Sequence, residues 1–405
     1  MPDAPVIPLA DAAFWQDPYP VLARLREEHR TAATDAGTKA VLRFADCEAL
    51  LKSGDFENEG LEFIAARGFA PGDPLWEWRR SSLGALNGAP HARLRALVSR
   101  ALTHRSVDAL RPRIRAHARA LLDAHRDAGQ LDVVADFARR LPFLAITDFL
   151  GIELGEALEV AKRMGSGAVD AFGPNVTPEV RATANATFAA MMEFVGELYE
   201  RRRAEPRDDL LGHLIAAEDG GDALSHHELV VLFSNLFGGA IETTASVIAS
   251  GALELTRHPE AADALRRDPE RWKRSTAEEV LRMRPGFFAI GKKAVRAHRA
   301  FGLDFAAGEP VAIPIGAPNR DPRRYPDPDR FDPARDPRQW SLTFSLGDHF
   351  CLGQALARCE LQEALATLVA TCDDLELLAE PRWTPRVTVH RMEALPLRFA
   401  PRTPA

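Results

Sequence analysis

Apolar residues recur along most of the chain at intervals of three and four, the spacing that places them on one face of a helix. This periodicity predicts a series of helices, among them Ala45 to Lys52, Pro90 to Thr103, Val107 to Gly129 and a last long helix after residue 351. Short apolar runs at Ala40 to Leu42 and Pro310 to Ile313 predict strands, and residues 373–401 alternate as a closing hairpin would. The pattern predicts a mainly α fold with a minor β portion.

Residues 54–90 interrupt the periodicity and are rich in glycine, proline and aromatic residues. We interpret them as a long loop with short helical pieces. Loops of this length inside a compact protein are usually functional or disordered, and the aromatic content favours a packed, functional one.

The most apolar segment, Leu229 to Leu255, follows a capping box in which Ser225 is the N-cap and Glu228 occupies the third helical position. With an end at His258-Pro259, the helix has about 32 residues and is roughly 48 Å long. It is long enough to span a bilayer, but a carboxylate at Glu242 would cost about 3 kcal/mol there. We therefore predict a helix buried in protein, and no membrane span.

The composition is that of a globular protein, with 405 residues, 46% apolar and 27% charged residues. The net charge of −7 argues against nucleic acid as the main partner, since phosphate binding needs clustered positive charge. Four cysteines are too few for a disulfide scaffold and fit a reducing cytosol. No secretory signal is predicted at the N-terminus.

The strongest local signal is the pattern Phe-x-x-Gly-x-His-x-Cys-x-Gly at Phe344, Gly347, His349, Cys351 and Gly353. The glycines let the backbone turn and approach closely, and the start of a helix stabilises a thiolate. By the composition of this chain, the pattern arises by chance at roughly one start site in ten million. A buried structural cysteine and a zinc site are the alternatives, but zinc needs three or four ligands and only His349 lies near.

This loop resembles the signature of the cytochrome P-450 superfamily, in its bacterial soluble form. The resemblance implies a single haem domain over residues 1–405 with an N-terminal extension at residues 1–16, and a long central helix lying over the haem. It also implies that Cys351 is the iron ligand and Phe344 covers its sulfur. Ser345 departs from the family, which usually has glycine there.

Other matches imply the contacts of the cofactor, haem b. His91 and Arg95, four apart on a helix, match residues that bind the haem propionates, and His349 would add a third contact. Counting back from Gly308, Lys292 stands where the family commonly has arginine. A lysine pairs with a propionate, but without the two-pronged geometry of arginine.

Glu279 and Arg282 match the family's Glu-x-x-Arg pair, and Arg335 matches the third member of that buried network. The implied role of these residues is structural, which is to hold the cysteine loop in shape.

In the long helix, the segment from Gly239 to Thr244 resembles the family's oxygen-binding motif, with Ala240 where glycine is usual. The resemblance implies that Gly239 leaves space beside the haem and that Glu242 and Thr243 relay protons. The alternative is that the acid and the alcohol only pair inside a buried helix.

The implied reaction inserts one atom of O₂ into a small hydrophobic substrate. Nothing in the chain resembles a flavin or iron–sulfur domain, so we expect electrons from a ferredoxin and its NAD(P)H-dependent reductase. Docking on the cysteine side would use Arg93, Arg100, Arg105 and Arg358. The rival functions are a peroxygenase using H₂O₂, against which the intact acid–alcohol pair argues, and a non-enzymatic haem carrier or sensor.

Substrate contacts are expected from mostly apolar segments that face the haem in the family. The candidate residues are Phe63, Phe69, Leu86, Phe172, Phe287, Phe288, Ile290 and Val389. Phe287 and Phe288 would narrow the pocket toward a compact or flat molecule, although core packing explains an aromatic pair equally well.

Overall fold

The computed structural model describes residues 5–99, 102–164, 168–173, 176–207, 211–212, 215, 224–336, 338–384 and 388–402. Helices account for 55% of the chain, and the strands are few and short, which confirms the predicted mainly α class.

The α-helices of the described residues are labelled here in chain order. They are α1 (Tyr19–Glu28), α2 (Phe44–Lys52), α3 (Glu62–Ala65), α4 (Pro74–Arg79), α5 (Gly88–Ser99), α6 (His104–Asp123), α7 (Arg140–Leu150), α8 (Leu154–Met164), α9 (Pro178–Ala204), α10 (His226–Arg257), α11 (Pro259–Arg267), α12 (Pro269–Met283) and α13 (Gln354–Thr371). A π-helical turn covers Val133–Ala138, and short 3₁₀ turns cover Ala168–Phe172, Pro318–Arg320, Leu342–Phe344 and Gly347–His349.

The strands form small sheets. They are β1 (Val6–Ile7), β2 (Thr31–Thr34), β3 (Lys39–Val41), β4 (Phe56–Glu57), β5 (Gln130–Asp132), β6 (Ala289–Ala294), β7 (His298–Ala300), β8 (Leu303–Phe305), β9 (Pro310–Pro314), β10 (Cys372–Leu377) and β11 (Pro396–Pro401). The largest sheet has the order β1-β2-β3-β9-β6-β4, and β5 joins the antiparallel pair β10-β11. The predicted pairing of the two ends of the tail is confirmed.

By its internal contacts the chain divides into two compact units. The first comprises Met1–Glu57, Arg111–Pro142 and Glu242–Ala405, and the second comprises Asn58–Leu110 and Phe143–Ile241. All the strands of the described residues belong to the first unit, and the described part of the second is helical.

The long helix was predicted accurately. Helix α10 has 32 residues and begins directly after Ser225. The Ser225 hydroxyl accepts from the Glu228 amide at 3.2 Å, and the Glu228 carboxylate accepts from the Ser225 amide at 2.9 Å, which confirms the capping box. Within the described residues, α10 alone is long and apolar enough to cross a membrane, but 56% of its apolar window is buried inside the protein.

The N-terminal segment packs against the rest of the first unit. Strand β1 pairs in parallel with β2, and Phe14 and Trp15 are 3% and 2% exposed in one core cluster with Leu22, Leu42 and Phe288. Residues 5–16, which we predicted to be an N-terminal extension, therefore contribute two large aromatic side chains to the core of the first unit. Residues 1–4 lie outside the described residues.

Candidate haem-thiolate site

Cys351 lies half-buried in the connection that leads into α13. Its amide donates to the carbonyl oxygen of Phe344 at 2.9 Å, which closes the loop. Gly347 has φ +70°, and a Cβ built there would lie 2.7 Å from the Leu51 carbonyl oxygen. The loop therefore needs glycine at position 347 both for its backbone conformation and for its close packing.

The glycine at position 353 has a different role from the one expected. Gly353 has φ −80°, a value that any residue adopts, so it is not needed for the turn. A Cβ built at Gly353, or at Gly239 of α10, would meet nothing within 4 Å.

The Phe344 ring is covered on one side by Arg358. The guanidinium carbon lies 4.4 Å from the ring centroid, and its Nε donates to the Glu278 carboxylate at 2.5 Å. Arg358, one of the arginines that we expected to meet a ferredoxin, is thus stacked and paired at the start of α13, with its side chain 24% exposed.

The Glu-x-x-Arg pair is fully buried. Arg282 donates to both carboxylate oxygens of Glu279, at 2.7 and 2.8 Å, and the two side chains are 2% and 3% exposed. Arg335 lies 3.5 Å from the same carboxylate. Arg282 also donates to backbone oxygens of Asn319 and Pro328, so the buried charges are compensated by several hydrogen bonds.

Asn319 connects this network to the cysteine loop. Its side-chain oxygen accepts from the Leu342 amide at 2.8 Å, and its nitrogen donates to the Thr343 hydroxyl at 2.9 Å. Thr343 in turn donates to the Leu281 carbonyl in α12 at 2.7 Å. Leu342 and Thr343 directly precede Phe344, so Asn319 and α12 both hold the start of the cysteine loop. The sequence analysis did not identify this role of Asn319.

Lys292 supplies a test of whether the site suits an anionic cofactor. The residue is 4% exposed in β6, and burial lowers the pKa of its ammonium to about 8. Its nearest charges are Asp348 of the cysteine loop and Glu57, yet its ammonium makes no hydrogen bond to any residue that the structure describes. A buried cation without an acceptor fits a carboxylate such as a haem propionate.

The other predicted propionate contacts are distributed between the two units. His91 and Arg95 lie one turn apart on α5 in the second unit, with His91 4% exposed and Arg95 half-buried. His349 is half-buried in the cysteine loop of the first unit.

Glu242 in α10 is held by two arginines. Its carboxylate pairs with Arg391, which belongs to the segment before β11, and lies 3.5 Å from Arg139, which follows the π-helical turn. These side chains line a cavity of about 240 Å³ together with Ser246 and Glu393. The Glu242 side chain is 27% exposed, so it reaches solvent rather than being enclosed. Sequence reasoning missed both arginines.

The candidate substrate residues are not all alike. Phe63 of α3 and Phe172 stack with ring centroids 6.3 Å apart, and Leu86 is half-buried. Ile290 packs at the edge of a core cluster, and Phe287, which is 42% exposed, forms an isolated bridge with the buried Val389.

Two of these candidates are buried in core clusters. Phe288 is 7% exposed and packs edge-on against Phe14 and Trp15, so it does not narrow a pocket jointly with Phe287. Phe69, 3% exposed, packs in a cluster with Ile64 and Phe188.

A zinc centre has no support in the described part of the chain, where no three His, Cys, Asp or Glu side chains gather in a way that could hold a metal ion. A half-buried cysteine on a braced loop and a buried Lys292 ammonium without a hydrogen-bond partner in the described chain fit a haem with anionic propionates. The fold and these features agree with a haem-binding protein.

The chain belongs to the cytochrome P450 family, whose sequence pattern matches residues 168–272 and 273–379. Over 96% of its length it is 35% identical to cytochrome P450 107B1 of Saccharopolyspora erythraea, of which it covers 96%. It is also 33% identical to 6-deoxyerythronolide B hydroxylase of the same organism, over 84% of this chain and 82% of the relative. The protein is a P450 monooxygenase.

The solved structures agree with this assignment. The crystal structure of P450BioI in complex with an acyl carrier protein ligated to hexadec-9Z-enoic acid superposes with a TM-score of 0.88 at 26% identity, covering 96% of this chain and all of that one.

Proposed function

We propose that this chain binds haem b through Cys351 and inserts one atom of O₂ into a small hydrophobic molecule, while the second atom leaves as water. The observation that carries the proposal is the bracing of the Cys351 loop, by the Phe344 carbonyl on one side and by Asn319 and the buried Arg282–Glu279 pair on the other. Such bracing holds a ligand sulfur in one place.

The proposed cofactor contacts follow from the residues around the loop. Cys351 would ligate the iron, with Phe344, Gly347, Gly353 and Gly239 bordering the ring. His91, Arg95, Lys292 and His349 would hold the propionates. When bound, the haem supplies oxygen activation and electron transfer, and the protein supplies position and polarity.

The proposed proton path uses Glu242 and Thr243, which are adjacent in α10. Glu242 takes a proton from water in the 240 Å³ cavity and passes it toward the Thr243 hydroxyl. Because Arg391 and Arg139 both pair with this carboxylate, the side chain can turn toward Thr243 only when at least one of these pairs separates. The arginines would thereby regulate when the acid is available.

The proposed electron donors are a ferredoxin and its NAD(P)H-dependent reductase in the cytoplasm. Of the four arginines expected to meet the ferredoxin, Arg105 is exposed, Arg93 pairs with Glu228, Arg358 pairs with Glu278, and Arg100 lies outside the described residues. Docking then depends mainly on Arg105 and Arg93. A rate of electron transfer that is unchanged at low salt in Arg105→Glu would contradict this assignment.

The decisive experiment compares two cysteine variants. Cys351→Ser should abolish the carbon monoxide band typical of reduced thiolate-ligated haem. Cys372→Ala should retain it, because burial raises the pKa of the Cys372 thiol to about 12 and keeps that thiol neutral. A band unchanged in Cys351→Ser would refute the proposal.

Turnover with H₂O₂ but not with ferredoxin would instead identify a peroxygenase. A screen of candidate compounds for a change in the haem spin state would identify substrates.

A further inference from the structure

Two arginines of the second unit stack on a single aromatic ring. The guanidinium carbons of Arg67 and Arg79 lie 3.7 and 4.8 Å from the centroid of Phe63. Arg67 donates to the carbonyl oxygens of Gly173 and Phe63, at 2.9 and 2.7 Å. Arg79 donates to those of Gly60 and Glu59, at 2.9 and 2.7 Å. All four acceptors are uncharged, so both cations lack a carboxylate hydrogen-bond partner within the described residues.

Each guanidinium keeps an unused donor. Nη2 of Arg67 and Nη1 of Arg79 make no hydrogen bond to any residue in the described ranges. Burial lowers the pKa of Arg67, and it lowers the pKa of Arg79 to about 10 even though Glu59 and Glu62 act in the opposite direction. Two half-buried cations near one another repel, which adds to the free-energy penalty of burying each charge. A bound anion would offset this penalty.

On the side of Phe172 and Trp78 the surroundings of this pair are aromatic and contain another unused donor. Phe172 stacks with Phe63, and the Trp78 ring lies 4.6 Å from that of Phe188. The indole nitrogen of Trp78 is buried and has no hydrogen-bond partner in the described chain. Donors without acceptors inside an aromatic cluster suit a ligand with an anionic end and an apolar body.

We propose that Arg67 and Arg79, stacked on Phe63, form an anion site that recognises a carboxylate on an otherwise apolar substrate. This inference rests on the proposed monooxygenase function and names its substrate class. Guanidinium–carboxylate hydrogen bonds are among the strongest in proteins and are geometrically specific. The site would therefore select acids over their neutral derivatives and fix which end of the molecule is held.

The experiment uses the haem-loaded full chain and matched pairs of ligands. Aliphatic and aryl carboxylic acids are titrated beside their methyl esters, with dissociation constants read from the haem spin state. The test variants are Arg67→Gln, which removes one cation, and Arg67→Lys, which retains the charge. Arg80→Gln is the control, because Arg80 belongs to the same segment but is exposed and pairs with Glu77 at 2.5 Å.

The expected result is that at least one acid binds roughly tenfold or more tightly than its ester, and that Arg67→Gln removes this preference. Arg67→Lys should retain part of it, and Arg80→Gln all of it. If no acid binds more tightly than its ester, the proposal is overturned. It is likewise overturned if inorganic phosphate alone raises the melting temperature in an Arg67-dependent way, since the site would then serve a free anion.

Two further measurements keep the outcomes separate. Circular dichroism and the carbon monoxide band report whether Arg67→Gln is folded. If it is not folded, the Arg67→Lys titration is used instead: a preference for acids that is at least partly retained supports the anion site, and its complete loss contradicts it. Absence of the thiolate band in the unmodified protein would refute the haem-thiolate function itself. An intact band with no preference for acids would refute the anion site alone.

Discussion

Gly286 lies against the backbone carbonyl of Thr243, where a Cβ built at position 286 would come within 2.8 Å of the carbonyl oxygen. The same Cβ would lie 3.1 Å from Val247. Both contacts are to the part of α10 that carries the proposed proton path. The residue after Pro285 therefore determines how closely the chain can approach the helix at Thr243.

The first prediction concerns this approach. Gly286→Ala should lower the free energy of unfolding by about 1–3 kcal/mol, because a backbone oxygen cannot move aside as a flexible side chain can. It should also lower the ratio of product formed to NAD(P)H consumed, because Thr243 is displaced. Urea denaturation and that ratio measure the two effects.

Gly196→Ala is the matched control for this change. Gly196 lies in α9, and a Cβ there would meet nothing within 4 Å, so alanine should be neutral or slightly stabilising by its helix propensity. Equal destabilisation by the two substitutions would show that the Thr243 contact is not the cause.

The second prediction concerns the acid held by Arg391 and Arg139. Glu242→Gln should lower the rate of product formation roughly 100-fold or more, the usual contribution of a positioned acid or base. It should also change the solvent isotope effect on turnover. Glu376→Gln, which removes an exposed carboxylate paired with Arg398 at 3.0 Å, should leave both unchanged. An unaltered isotope effect in Glu242→Gln would remove this residue from the proton path.

The elements that the sequence predicted correctly are those with local signals. The ends of α10 follow from a capping box at Ser225 and a proline at position 259, and both act within one helical turn. The buried Arg282–Glu279 pair also lies within one turn. This pair and its third member, Arg335, were all assigned through the resemblance to a family, and the local spacing showed only that Glu279 and Arg282 can share a helix face.

The features that the sequence did not predict depend on contacts between distant residues. Arg391 is 149 positions from Glu242, and nothing near either residue indicates the pairing. The stacking of Arg79 on Phe63 and the burial of Trp15 likewise arise from packing that no local periodicity encodes. Ion pairs between residues that only tertiary packing brings together, such as Glu242 and Arg391, could not be predicted from helix or strand spacing.

The third prediction concerns pH and the buried Lys292. In the haem-free protein its pKa is about 8, against 10.5 when exposed, so between these values the unfolded chain binds more protons. The free energy of unfolding of the haem-free protein should therefore rise with pH from about 8 to 10.5, and Lys292→Met should remove that rise. Urea denaturation at several pH values measures it.

With haem bound, Lys292→Met should weaken haem binding, whereas in the haem-free protein it removes the unfavourable effect of a buried charge. A propionate beside the ammonium compensates its buried charge, so Lys292→Met should release haem to apomyoglobin faster, and Lys292→Arg should retain haem. Lys293→Met is the control, since the neighbouring residue pairs with Glu57 at 3.3 Å. Equal rates of haem loss from Lys292→Met and the unmodified protein would exclude Lys292 as a propionate contact.

The fourth prediction concerns Ser345, which has φ +60° and ψ −168°, a conformation that is essentially restricted to glycine. Its hydroxyl is also buried, with no hydrogen-bond partner in the described chain. Strain of this kind costs about 1–3 kcal/mol, so Ser345→Gly should raise the free energy of unfolding by about 1 kcal/mol or more. Ser345→Ala removes the unpaired hydroxyl but retains the strained backbone, and it should stabilise the protein less. A loss of stability in Ser345→Gly would mean that the hydroxyl binds a group, such as an ordered water, whose contribution exceeds the strain.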